Sequence, residues 1–399
     1  MAAPFDTETA SSANDGEPVR RSVEVEYWVI DERGRLTEPG DLLEASPGVE
    51  REFVAPLLEI KTTPCESTDE LRDELFGRLG RVLRRAEDRG KRLVPLGTPI
   101  HFGSIEDRPN ERTRIQDRVL GENFEYVRHC AGTHIHIEQQ PGREIDQLNA
   151  LVALDPALAL VNSSPYFGRT KLAAGARSQL YRRLAYAALP HQGELWPYVP
   201  HREAWARRVD RCYEEFLTEA VISGLDRHIV ESYFEPEGTA WTPIKLRDRF
   251  STVEWRSPDT ALPSQVVRLA DEIAGIVEHA THVDVRIEGE TGRVTDDSIV
   301  LPEFEALKSY VDAAIRDGLS SGTVRSYLER MGFDVAAYDP LSHELLATAE
   351  PTSSEARALR TQYAERLEPD LSRGARSTPI GGREHSNNID ENSYRSNSR

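Results

Sequence analysis

Ser251-Thr252-Val253-Glu254-Trp255-Arg256-Ser257-Pro258-Asp259-Thr260 alternates apolar with charged residues, and so does Ser22-Val23-Glu24-Val25-Glu26-Tyr27 near the start of the chain. That two-residue period is the pattern of a strand with one face on a core. Val23, Val25, Val253 and Trp255 fall on one face, and Glu24, Glu26, Glu254 and Arg256 on the other. Carboxylates on one strand face repel each other unless something positive binds them, and glutamate oxygens suit Mg²⁺ or Mn²⁺. The pairing points to a metal–nucleotide enzyme.

Other segments extend the pattern. Glu24 and Glu26, two apart, point the same way from one strand; alone, that spacing is more often the face of a solvated edge strand. Thr133-His134-Ile135-His136-Ile137 does the same with imidazoles, which serve either as divalent-metal ligands or as satisfied core histidines. Glu52 and Glu59 are seven apart, so on a straight strand they face opposite sides; a bend or bulge at Pro56 would bring them to one site. Glu59, within the clean alternation Leu58-Glu59-Ile60-Lys61-Thr62, is the stronger candidate of the two. Glu254 and Arg256 read as an exposed ion pair or as carboxylate-on-cation beside guanidinium-on-phosphate. Asn162 to Arg169 is a turn-rich loop, and Arg177, at the start of the next helix, is within reach of an anion.

Strands are predicted at about 22–30, 53–62, 92–98, 131–139, 226–234 and 250–257. A capping box, Ser67 with Glu70, opens a helix running to about Asp88 and ending at Gly90. Further helices are predicted at about 143–161, 176–188, 202–221, 263–280, 302–317, 320–331 and 353–366. Residues 1–20 read as a disordered acidic arm and 371–399 as a disordered tail, leaving one catalytic domain over 21–370. Asp334 to Pro351 reads as a linker before the last helix. The order of elements predicts an α+β fold with a mainly antiparallel sheet and helices on its outer side.

Composition narrows the function. The chain has 399 residues and a formal net charge of -19, with five lysines (Lys61, Lys91, Lys171, Lys245, Lys308) among 49 basic residues and two methionines. Acidic excess with lysine depletion resembles the proteins of salt-loving archaea, whose carboxylate surface stays hydrated while salt screens its self-repulsion. With no basic patch carrying interleaved aromatics, nucleic acid is not an expected partner. Three cysteines without CxxC spacing predict reduced thiols. No signal-peptide pattern and no apolar run of about eighteen residues occur, so a cytoplasmic protein with no membrane partner is expected. Phosphate-cradling glycine loops and the G-x-S-x-G elbow are lacking, so metals and arginines on a sheet must hold any nucleotide.

Taken in order, SVEVEYWVID (22–31), LLEIKTTPC (57–65), LGTPIHF (96–102), GTHIHIE (132–138), NSSPYFG (162–168) and STVEWRSPDT (251–260) resemble the carboxylate–amine ligase family that includes the second class of glutamate–cysteine ligases. The resemblance runs from about Arg21 to Arg330. It implies a glutamine synthetase-like fold, a curved antiparallel sheet forming a funnel with helices packed outside. It further implies that Glu24, Glu254 and His134 hold one Mg²⁺ (or Mn²⁺) and that Glu26, Glu52 and Glu59 hold a second or third. Arg256 and Arg177 would grip the γ-phosphate or acyl-phosphate oxygens, and His136 would line the nucleotide or amino-acid pocket. The implied reaction joins the γ-carboxylate of glutamate to the amine of cysteine at the expense of ATP, through γ-glutamyl phosphate. Ser22 and Lys61 depart from the family's usual residues. A different amine in the same chemistry, and a two-metal hydrolase, are the alternatives.

Overall fold

The computed structural model describes residues 19–101, 105, 108 and 110–374. Its centre is a seven-stranded sheet of β1 (Arg21–Asp31), β2 (Val49–Arg51), β3 (Leu57–Lys61), β4 (Lys91–Val94), β5 (Thr133–Glu138), β8 (Ile244–Arg247) and β9 (Thr252–Trp255). Strand order is β2-β3-β1-β5-β9-β8, with β4 also paired to β1, and every pairing in this sheet is antiparallel. A small hairpin, β6 (Tyr166–Phe167) and β7 (Thr170–Lys171), and a three-stranded sheet of β10 (Asp284–Ile287), β11 (Arg293–Thr295) and β12 (Ser298–Leu301) complete the strands among the described residues. The expected α+β architecture with a mainly antiparallel sheet is therefore present.

Alternation decides what each face meets. Val23, Val25, Tyr27, Ile135, Ile137, Val253 and Trp255 are fully buried in a core shared with helices Thr68–Asp88, Glu144–Ala153 and Pro263–His279. Burying such side chains is worth about 1.5–3 kcal/mol each, so the register cannot slip without exposing the whole set. The opposite face of β1 begins with Glu24 and Glu26 and continues with Trp28 and Ile30. The latter two lie in a second apolar cluster with Leu57, Val94, Ala356 and Tyr363, so helix Ser353–Ala364 covers that end of the sheet. Only the charged end stays open.

Several expectations change. Ser67 Oγ accepts from the Glu70 N–H at 3.2 Å, but the Glu70 carboxylate accepts from Glu66 N–H rather than closing the box on Ser67. Segment 226–234 is a helix, Arg227–Tyr233: Asp226 caps it by accepting from the N–H groups of His228 and Ile229, and Val230 turns inward while Ile229 is exposed. Phe53 to Pro56 forms a turn, so the strand starts at Leu57. The proposed linker is packed structure: Leu341 and Leu345 are buried, and the Tyr166 hydroxyl donates to Leu345 O at 3.0 Å. Val19 sits in the core, and helix Leu367–Gly374 extends into the expected tail. The rest of the arm (1–18) and tail (375–399) lies outside the described residues.

Candidate active site

Cross-strand register lays three rungs of functional side chains across one sheet face. Directly opposed residues of an antiparallel pair share a face at about 4.5–5.5 Å between Cβ atoms. The first rung is Glu50–Glu59–Glu26, the second Lys61–Glu24–His134, and the third His136–Glu254–Lys245. The turn at Phe53 to Pro56 then folds Glu52 back onto the first rung. Oxygens of Glu26, Glu52 and Glu59 lie within 4.8 Å of one another, as do ligand atoms of Glu24, Glu59 and His134 and of Glu24, His136 and Glu254. The bend that spacing alone left open thus brings Glu52 beside Glu59.

Charge in this cluster is unevenly met. Burial first, then the charges of Glu26 and Glu59, push the Glu52 carboxyl well above the usual carboxylate range. Burial, with Glu24 and Glu26, carries Glu59 up to about 8. Burial works the same way on Glu24, but the hydrogen bond from His134 and the charge of His134 and His136 override it and hold that carboxyl far below its ordinary range. Glu254, fully buried, is also held low against its desolvation, by Arg256, His136, Lys245 and Arg247. Its oxygens accept from Arg247 Nη1 at 2.6 Å and from Arg256 Nη1. His134 Nδ1 lies 3.1 Å from Glu24 Oε2.

His136 Nε2 is buried without a hydrogen-bond partner, 3.7 Å from Glu24 Oε2 and 3.8 Å from Glu254 Oε1. An orphaned imidazole nitrogen between two carboxylates, beside a trio of glutamates, is a donor set that a hard divalent cation would fit. The structure thus places His136, expected to line the substrate pocket, within a ligand group, while His134 both joins such a group and lines the adjoining cavity. That cavity, about 400 Å³, is bounded by Glu24, Glu26, Glu52 and Glu59 on the sheet side and by Arg177, Arg256 and the aromatic rings of Tyr181, Tyr186 and Trp241.

The two arginines differ. Arg256 is partly exposed at the edge of the carboxylates, its Nη1 also 3.4 Å from His134 Nδ1. Arg177, expected to meet an anion, is buried and donates through Nη1 to Ser257 O at 3.0 Å and through Nη2 to Arg256 O at 3.1 Å, bracing the backbone that carries Arg256. Room for it depends on Gly132, where a Cβ would stand 2.1 Å from Arg177 Nη2; the Gly132 N–H itself donates to Glu26 Oε2 at 2.6 Å. Beneath the strand, buried Asp155 accepts from Arg182 Nη1 at 2.6 Å and Trp255 Nε1 at 2.9 Å, locking β9 from its core side.

Sequence reading passed over several members. Arg247 and Lys245 belong to Ile244-Lys245-Leu246-Arg247, an alternating run whose signal is present but only four residues long. Lys245 is buried opposite Glu254, and burial together with Arg256 brings its amine down to about 7. Asp259 accepts from the Ser163 N–H at 2.9 Å, and burial raises it to about 6 despite Arg177. Phe250, exposed at the rim, meets His136 edge-on at 6.4 Å between ring centroids.

The family model of glutamate–cysteine ligase family 2 matches residues 23–325, a span that contains every residue of the three rungs. Two relatives carry the name "Putative glutamate–cysteine ligase 2-1". The one from Rhodococcus jostii is 26% identical over 326 residues, covering 77% of this chain and 78% of the relative. The one from Frankia casuarinae is 30% identical over 219 residues, covering 53% of this chain and 51% of the relative. Among solved structures, a bifunctional glutathione synthetase from Pasteurella multocida aligns with a TM-score of 0.52 at 13% identity, over 89% of this chain and 53% of that one. That last likeness is one of fold. The chain belongs to glutamate–cysteine ligase family 2.

Proposed function

We propose that this family member is an ATP-dependent glutamate–cysteine ligase. The γ-carboxylate of L-glutamate attacks the γ-phosphorus of ATP, giving γ-glutamyl phosphate and ADP. The amine of L-cysteine then attacks the acyl carbon and phosphate leaves, giving γ-glutamylcysteine. The observation that carries the reading is the three-rung face of carboxylates and imidazoles ending at Arg256, in a chain of this family.

Glu24, His136 and Glu254, with His134 Nδ1 4.0 Å from Glu254 Oε1, and separately Glu26, Glu52 and Glu59, would hold Mg²⁺ or Mn²⁺. When bound, such ions neutralise charge on the β- and γ-phosphates of the nucleotide. The protein's own share is positioning. Arg256 presents a guanidinium that can grip two anionic oxygens at once. Arg177 fixes the backbone behind it, and Asp155 with Arg182 keeps strand β9 from shifting. An error of about 1 Å in such a site costs about 10²-fold in rate, which gives these buried braces a purpose. Cleavage between phosphates without a cradling loop suits a face built this way. The same reading makes residues 21–370 one catalytic domain, with a glutamine synthetase-like curved sheet, acting on small molecules in the cytoplasm. The acidic, lysine-poor surface is read as an adaptation to high salt.

The test is ADP release with glutamate and cysteine, each omitted in turn, followed by isotope tracing. ¹⁸O in the glutamate side-chain carboxylate should emerge in the released phosphate. Its absence there would reject the acyl-phosphate route, whereas transfer with another amine would reject only cysteine as substrate.

A further inference from the structure

The second rung contains a cation of its own. Lys61 Nζ lies 2.9 Å from Glu59 Oε2, 3.6 Å from Glu24 Oε1 and 3.1 Å from Glu50 Oε2. Glu24 and Glu59 are two of the three members of the middle ligand group, whose third is His134. We propose that the Lys61 ammonium takes the place of a divalent ion in this middle group, so that the site holds at most two divalent ions, one at each flank. The inference rests on the reading of the face as a metal site.

Three observations carry it. First, Lys61 is held where it is. Its backbone N–H donates to Gly48 O at 2.8 Å, its carbonyl accepts from the Arg78 guanidinium, and its Cα is paired with that of Glu24 across β1. Second, every member of the middle group already has a polar partner: Glu24 with His134, and Glu59 and Glu24 with Lys61. One flank does not share this property. There His136 Nε2 is buried and unpartnered, 3.7 Å from Glu24 Oε2 and 3.8 Å from Glu254 Oε1. Third, the countercharge is already there. A divalent ion in the middle group would have to be bound by Glu24 and Glu59, and the Lys61 ammonium stands 2.9 Å from Glu59 Oε2 and 3.6 Å from Glu24 Oε1. A single positive charge tethered to the sheet also requires no dehydration of a free ion at the middle position.

The experiment counts Mn²⁺ per chain by calorimetric titration and by electron paramagnetic resonance of the unbound ion, with Mn²⁺ alone as the probe. The wild-type protein should bind no more than two ions, Lys61→Met should bind one more than wild type, and Lys61→Arg, which keeps the charge, should retain the wild-type number. Three ions on the wild-type protein overturn the inference directly, whether or not the methionine variant folds. Equal, non-zero counts for wild type and Lys61→Met overturn it too while leaving the metal reading standing. No Mn²⁺ binding by either protein overturns both.

Discussion

Replacing Glu59 by glutamine should stabilise the metal-free protein while weakening its hold on divalent ions. Glu59 is 5% exposed and stands directly opposite both Glu26 and Glu50 across the sheet. Burial and the charges of Glu24 and Glu26 raise its carboxyl from the ordinary 4.5 to about 8. The sign follows from proton linkage. Between pH 4.5 and 8 the folded state binds more protons than the unfolded one, so stability falls as pH rises through that window and the penalty is complete only above about 8. At pH 7 the strain amounts to about 3 kcal/mol, at 1.36 kcal/mol per tenfold change in proton affinity. Glutamine cannot ionise and removes it, while Lys61 keeps Glu24 and Glu50 as partners. With about 2 cal/mol/K of unfolding entropy per residue, the melting temperature should rise by about 4 °C. The assay is calorimetry in excess chelator at pH 5, 7 and 8.5. The variant should gain most at the highest pH and least at the lowest, and added Mn²⁺ should stabilise it less than wild type. A variant that melts below wild type in chelator at pH 7 would refute the reasoning, because the ion pair with Lys61 would then outweigh the cost of burying the Glu59 charge.

Other outcomes follow from the same geometry. Asp155→Ala leaves the Arg182 guanidinium buried and unpaired and should lower stability by about 3–5 kcal/mol in urea titration; a loss below about 1 kcal/mol would contradict the bracing role. Arg256→Lys should lose turnover by orders of magnitude with little change in melting temperature, since an ammonium cannot reproduce a two-oxygen grip; near-normal kcat would reduce Arg256 to a mere partner of Glu254. Molar KCl should raise the melting temperature, because a Debye length of about 3 Å screens the repulsion behind the -19 charge; a melting temperature highest in low salt would reject that reading.

Period-two alternation is a local property, and it placed Val23, Glu24, Val25 and Glu26 on their correct faces before any partner strand was known. The same holds for His134, His136, Glu254 and Trp255. Helices with a continuous apolar stripe, such as Thr68–Asp88 and Pro263–His279, were equally legible. Failure came where the local pattern was short or misleading. In 226–234 the cap from Asp226 outweighs the β-branched run, and four residues were too few to reveal Ile244–Arg247.

The chemistry types present on the face were thus set by residue identity and spacing alone, because side-chain direction along a strand depends only on the strand's own backbone. Which of those side chains meet was decided by tertiary structure. The turn at Pro56 that returns Glu52 to Glu59 is local and spacing left it open; the register that sets Lys61 opposite Glu24, and Gly132 that admits Arg177, join segments far apart in the chain. Their positions are fixed by long-range pairing and by burial of the opposite, apolar face, so no window of sequence contains them.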